Sequence, residues 1–366
     1  MSAVRVVSIV GNRPQFVKAA PLSRALRLRA EERLVHSGQH YDPALADLFF
    51  DELDIPEPDE NLGIGPGTPL GQLAAMVTGL ERVLADHPPD VVLVYGDTTT
   101  TLAGALAARK LGHPLAHVEA GLRSFAPSMP EEQNRVVTDH LSQLLFCPTD
   151  TAVDNLAREG IEAGVFRVGD VMFDASLLFA EAAAARPGPE RWDLRPGEYL
   201  LVTIHRAAAT DTPEALRALV EVLRALDRPA VFPMHPRTRA KLESAGLFGE
   251  LDAIPDLTIV PPIGYLDFSR ALRDARAVVT DSGGVQKEAF FARVPCVTVR
   301  EETEWVETVE SGFNRLTGLD PERVRAALAD LSIPAEQPTF YGDGRASEEI
   351  AEALATWWDS RPTSGG

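Results

Sequence analysis

Cysteine is nearly absent from this chain, with two in 366 residues. Cys147 and Cys296 lie in apolar segments (LLFCP and VPCVTV) that suit small buried hydrophobes and supply neither a disulfide framework nor a thiolate metal site. No apolar run reaches the roughly eighteen residues of a membrane helix. The opening MSAVRVVSIVG lacks the charged region, apolar core and cleavage site of a signal peptide, so a cytoplasmic location is expected. Positive charge is short: 35 Lys and Arg against 54 Asp and Glu leave a net charge of -19. Nucleic acid and anionic membrane, both bound mainly through accumulated Lys and Arg, are not expected as partners. HExxH and cysteine metal spacings are missing, as are a Walker loop and a GxGxxG fingerprint, and no metal is expected.

What is present is an alternation. Short β-branched runs, VRVVSIV (4–10), VVLVY (91–95) and LAHVE (115–119), are each followed by helical sequence starting near Pro14, Thr98 and Pro130. This is the pattern of parallel βαβ units. It pauses at AAAARPGPERWDLRPG (182–197), read as an interdomain linker, and restarts with YLLVTI (199–204), AVFPM (230–234), AVVTD (277–281) and PCVTV (295–299). The expectation is an α/β chain of two Rossmann-like, doubly wound domains facing a cleft. The N-terminal domain spans 1–185, the C-terminal domain 198–345, and a C-terminal helix and tail 346–366. In such sheets ligands bind at the carboxyl ends of the strands.

The chemistry-bearing residues recur just after those strands. In GNRPQFVK (11–18), Gly11 suits a tight turn, Pro14 a first helical turn, and Arg13 and Lys18 add cations near a helix N-terminus. Asp97 in GDTTTT is equally compatible with a helix cap. Glu119 in HVEAGLRS ends a strand and has no capping role, although Arg123 is available as an ion-pair partner. Glu131 in MPEEQNR stands in an acidic first helical turn. Loops at one sheet edge would bring Asp97, Glu119 and Glu131 together, where their mutual repulsion separates an acid from a base. In the second half His205 (TIHR) and His235 (HPRTR) stand at strand ends beside arginine, and TDSGGVQKEAFF (280–291) runs from a strand through Ser282, Gly283 and Gly284 into a helix. Exposed N–H groups at such a helix start bind phosphate, though a plain serine cap fits too.

These motifs, GNRPQFVKAAPL, VYGDTTTTLAGALAA, HVEAGLRS, PEEQNR, TIHR, HPRTR and TDSGGVQKEA, resemble in order and spacing the non-hydrolysing UDP-N-acetylglucosamine 2-epimerases. The resemblance runs from about residue 4 to YGDG (341–344). It implies a glycosyltransferase-B type fold, a place in polysaccharide biosynthesis, a homodimer, no cofactor, and interconversion of UDP-N-acetylglucosamine and UDP-N-acetylmannosamine. UDP is eliminated to leave a 2-acetamidoglucal and is then re-added. By the resemblance, Asp97, Glu119 and Glu131 are the acid-base carboxylates and His205 their catalytic partner. Arg13, Lys18, His235, Ser282, Gly283 and Gly284 hold the pyrophosphate, Glu288 the ribose and Phe268 the uracil.

Some positions depart from the pattern. Many bacterial relatives read HRRE where this chain has His205, Arg206, Ala207 and Ala208, and carry another polar residue at Tyr41 and Asp42; there these positions form an allosteric substrate site. The TEWVE stretch (303–307) looks more like the sister enzymes acting on UDP-2,3-diacetamido-2,3-dideoxyglucuronate, for which Lys287 is a candidate cation. That sister activity, a hydrolysing epimerase and a glycosyltransferase are the alternatives.

Overall fold

The computed structural model describes residues 3–38, 53 and 55–361, so Tyr41 and Asp42 lie outside the described residues. The chain divides into two compact units, Met1–Leu178 with Thr339–Gly366, and Phe179–Pro338.

The first unit is built on a parallel sheet of β1 (Val4–Val10), β2 (Ala30–His36), β3 (Glu60–Asn61), β4 (Val91–Tyr95), β5 (Leu115–Val118), β6 (Leu144–Cys147) and β7 (Val165–Arg167), in the order β3-β2-β1-β4-β5-β6-β7. A parallel sheet covered on both faces must be apolar on both. Every residue of β4, β5 and β6 is accordingly buried. The helices start close to the expected positions, at Arg13, Thr99 and Pro130.

The second unit repeats the plan with β8 (Leu200–Thr203), β9 (Ala230–Pro233), β10 (Leu257–Val260), β11 (Ala277–Thr280), β12 (Cys296–Thr298) and β13 (Asn314–Leu316), ordered β10-β9-β8-β11-β12-β13 and parallel throughout. The Pro213–Arg224 helix shows how it is covered. Leu216, Leu219, Val220 and Leu223, spaced i, i+3, i+4, i+7, form its buried stripe. Two Rossmann-like doubly wound units in one chain are the composition of the glycosyltransferase-B type.

The segment read as a linker is part of the second unit. Arg186 and Arg191 both pair with Asp267, and Trp192 and Leu194 pack on the core around Tyr199 and Leu272. The chain then returns to the first unit at Thr339, where the Ala346–Asp359 helix packs on the Arg13–Leu26 helix. Its first N–H groups, those of Ala346 and Ser347, donate to Asp174 at 3.2 and 2.6 Å. Cys147 and Cys296 are buried and unbridged, and burial pushes both thiols up, Cys296 to about 12. Among the described residues no helix is long and apolar enough to cross a membrane.

Candidate active site

In the first sheet the strand order reverses between β1 and β4, where Ile9 lies beside Val94. The loops that leave these two strands turn to opposite faces and open a crevice at their carboxyl ends. Gly11 belongs there because of close approach: a Cβ on it would stand 2.1 Å from Thr100 Oγ1 and 2.3 Å from Ser37 Oγ. The Gly11 N–H donates to Gln15 Oε1 (2.8 Å), and Gln15 Nε2 donates to the Tyr95 carbonyl (2.8 Å), which stitches the two loops together. Asn12 caps the helix, and half-buried Arg13 is its first residue.

The capping role open to Asp97 belongs to its neighbour. Thr98 accepts from the Thr101 N–H, and the Thr98 N–H donates back to Thr101 Oγ1 at 3.1 Å. The Asp97 carboxylate pairs instead with Arg135, and its carbonyl accepts from Asn134 Nδ2 at 2.9 Å. Glu119 leaves β5 in a left-handed conformation, φ 71°, and its carboxylate pairs with Lys18. The Arg123 partnership open to Glu119 does not form; Arg123 is taken by Asp139 (2.7 Å) and Glu159 (2.6 Å). A Cβ on Gly96 would lie 3.2 Å from both Glu119 Oε2 and Lys18 Nζ, so this ion pair rests against the residue that precedes Asp97. Lys18, expected among the phosphate cations, supplies the counter-charge of a carboxylate.

The Pro130–Leu141 helix does more than bring Glu131. Glu131 is half-buried, and its carboxylate makes no hydrogen bond or ion pair among the described residues. Glu132 is buried and holds the 124–125 loop, accepting from the Ser124 N–H (2.9 Å) and the Phe125 N–H (3.0 Å), and it pairs with Arg135 (2.7 Å). Glu132, Arg135 and Asp139 stand at i, i+3 and i+7, on one face of the helix. All three are buried, and each holds a loop that follows a strand. Sequence reading missed this face. Its signal was three charged residues at core spacing.

In the second sheet the reversal falls between β8 and β11, where Thr203 lies beside Thr280 and their hydroxyls meet at 2.7 Å. Buried Asp281 accepts from the N–H groups of His205 (3.0 Å) and Arg206 (2.7 Å), fixing the loop after β8. The His205 imidazole is half exposed, 6.3 Å from the ring of His235. His235 caps the Pro236–Ser244 helix by accepting the Arg237 N–H on Nδ1 at 3.2 Å.

Ser282 stands at the cap position of the Gly283–Phe291 helix, but its hydroxyl makes no capping bond. The first-turn N–H groups and that hydroxyl are thus available to an anion. A Cβ on Gly283 would stand 2.3 Å from Glu304 Oε1, whereas one on Gly284 would meet open space. Buried Glu304 is flanked by Arg300 at 3.0 Å and Arg206 at 3.8 Å. Lys287 is buried with its ammonium 4.0 Å over the Trp305 ring. Glu288 is half-buried, and Phe268 is half-buried against the core. Among the described residues no three His, Cys, Asp or Glu side chains are grouped to hold a metal ion.

Comparison with known proteins adds a name to this geometry. The family model described as UDP-N-acetylglucosamine 2-epimerase matches residues 24–355. The chain is 46% identical over 355 residues to a UDP-N-acetylglucosamine 2-epimerase homolog of Methanococcus maripaludis, covering 96% of this chain and 99% of that one. It is 45% identical over 362 residues to the UDP-2,3-diacetamido-2,3-dideoxy-D-glucuronate 2-epimerase of Pseudomonas aeruginosa, at the same coverage. The crystal structure of Methanocaldococcus jannaschii UDP-GlcNAc 2-epimerase in complex with UDP-GlcNAc and UDP matches with a TM-score of 0.90 at 40% identity, covering 96% of this chain and 99% of that one.

Proposed function

Since the chain belongs to the UDP-N-acetylglucosamine 2-epimerase family, we propose that it inverts carbon 2 of a UDP-linked N-acetylated amino sugar, interconverting UDP-N-acetylglucosamine and UDP-N-acetylmannosamine. A base removes the proton on carbon 2, its bonding electrons form the double bond to carbon 1, and the bond from carbon 1 to UDP breaks. The 2-acetamidoglucal takes a proton back on the other face as UDP re-adds. The observation that carries this reading is the pairing at the first sheet's reversal: Asp97 with Arg135, and Glu119 with Lys18 beside Gly96. Two carboxylates held in register by separate cations are the equipment for proton transfer to and from opposite faces. Glu131, with its uncommitted carboxylate, is the third acid-base candidate, and His205 assists.

Loss of UDP needs donors aimed at the developing charge. The Ser282, Gly283 and Gly284 turn supplies N–H groups and a hydroxyl, His235 and Arg13 supply side-chain donors, Glu288 takes the ribose and Phe268 the uracil. Lys18 serves Glu119 first in this reading. Incubation with UDP-N-acetylglucosamine in deuterated water is the test. A UDP-linked product labelled at carbon 2 is expected; free N-acetylmannosamine would make the enzyme a hydrolase, and transfer to an acceptor a glycosyltransferase.

The P. aeruginosa relative and the TEWVE stretch favour the diacetamido uronate as a second reading. The kcat/KM ratio of the two substrates decides between them. A homodimer in the cytoplasm completes the proposal, and light scattering of the purified chain tests the oligomer.

A further inference from the structure

Glu119 is a non-glycine residue at φ 71°. A left-handed backbone is unfavourable for an L-residue and persists only where the surroundings over-determine it. The residues that over-determine it here converge on one carboxylate. Asp139, on the Pro130–Leu141 helix, is 1% exposed. Its Oδ1 lies 2.7 Å from Nδ1 of His117, two residues before Glu119, and its Oδ2 accepts the N–H of Gly121, two residues after, at 3.1 Å. The other ring nitrogen of His117, Nε2, lies 2.6 Å from the carbonyl of Gly96, the residue before Asp97. The ring thus bridges the Asp139 carboxylate and the Gly96 carbonyl through its two nitrogens. Arg123 completes the shell, donating to Oδ2 at 2.7 Å. Burial pushes Asp139 up, but His117 and Arg123 outweigh it and hold the carboxyl below its ordinary value.

We propose that Asp139 and His117 are positioning residues for the epimerisation: one buried carboxylate brackets the turn that presents Glu119 and, through the His117 ring, fixes the peptide that presents Asp97. The inference rests on the acid-base reading of those two carboxylates. Its reach follows from how steeply proton transfer depends on geometry, where a displacement of about 1 Å costs on the order of 10²-fold in rate. Both side chains are fully buried, so the effect is expected on kcat.

Asp139→Asn and Asp139→Ala separate geometry from charge. The asparagine oxygen can still accept from Gly121 and Arg123. Its amino group can donate to His117 Nδ1 in the tautomer that keeps Nε2–H on the Gly96 carbonyl. Asp139→Asn is expected to keep kcat within about 10-fold of wild type, while Asp139→Ala loses on the order of 10²-fold in kcat with KM and UDP affinity little changed. Should Asp139→Ala fail to fold, His117→Phe cuts the Gly96 link and leaves Asp139 its Gly121 and Arg123 bonds; the same kcat-selective loss is expected. An asparagine variant as slow as the alanine one, or an alanine or phenylalanine variant with unchanged kcat, overturns the proposal. Amide exchange at Gly121 gives a readout that needs no turnover: it accelerates in Asp139→Ala and not in Asp139→Asn. An inactive wild type would therefore dispose of the proposed function while the exchange still tests the clamp, and unchanged exchange in Asp139→Ala would dispose of the clamp alone.

Discussion

The reversal points of the two sheets share a topology and differ in chemistry. In the first unit the strand-end loops carry full charges, each met by an opposite charge: Asp97 by Arg135, Glu119 by Lys18, Arg123 by Asp139. In the second, the Ser282 turn offers backbone N–H groups, a hydroxyl and two glycines, with the buried charge of Asp281 spent on backbone N–H groups. Moving protons requires ionisable groups whose positions are enforced. Holding a diphosphate requires a concave set of donors and little else. In the proposed function one fold serves both, because the sheet fixes where the loops emerge and leaves their composition open.

The sharpest way to break this division is Glu119→Gln, with Asp97→Asn as its companion. Each is expected to lower turnover by roughly 10²- to 10⁴-fold with UDP affinity near wild type. A variant that loses UDP binding in calorimetry in step with turnover would show that the carboxylates do not serve chemistry alone. Arg13→Ala comes next. Charge-assisted bonds to phosphate are the stronger class, and about 1.5–3 kcal/mol of UDP affinity is expected to go; an unchanged titration removes Arg13 from nucleotide binding.

Within the second unit, Gly283→Ala drives a methyl to 2.3 Å from Glu304 Oε1, whereas the same change at Gly284 enters open space. Overpacking of this kind costs about 1–3 kcal/mol. UDP affinity and melting temperature are both expected to fall for Gly283→Ala, with the melting temperature of Gly284→Ala held or raised; equal behaviour of the two variants would show that the Glu304 contact yields freely. The smallest effect belongs to Asp267. Burial pushes it up, but Arg186 and Arg191 outweigh that and hold its carboxyl below the ordinary value. Its stabilisation is therefore complete above the unfolded pKa of about 4 and disappears as pH falls through the lower folded value. Asp267→Asn should cost about 1 kcal/mol at pH 7 and less in acid, read from denaturant melts at both pH values. A cost that does not shrink in acid would mean the arginines act by packing alone.

Much of this was legible beforehand, for identifiable reasons. Strands such as VVLVY announce themselves because both faces of a parallel sheet are buried, and Asp97 and Glu119 stand out as charges directly after such strands. Their partners were hidden. Lys18 and Glu119 lie 101 residues apart, and nothing local in GNRPQFVK says that its lysine reaches a carboxylate. Asp97 and Thr98 are adjacent capping types, and only the fold shows that the threonine takes the cap. In PEEQNR the choice between Glu131 and Glu132 depends on which face of the helix meets the sheet, a tertiary fact. The segment 182–197 misled as a linker because its prolines and charges look solvated, while Asp267, which pins it, lies far along the chain.

The return of the chain to its first unit at Thr339 sets an order of assembly during synthesis. At about 5–20 residues per second, the Ala346–Asp359 helix follows Leu178 by on the order of ten seconds or more. By the end of that interval the Phe179–Pro338 unit has been synthesised, while the Arg13–Leu26 helix has waited with the surface that the late helix will cover exposed. The half of the protein that begins first is the half that finishes last, and a nascent chain stalled before Ala346 would present that uncovered surface to chaperones.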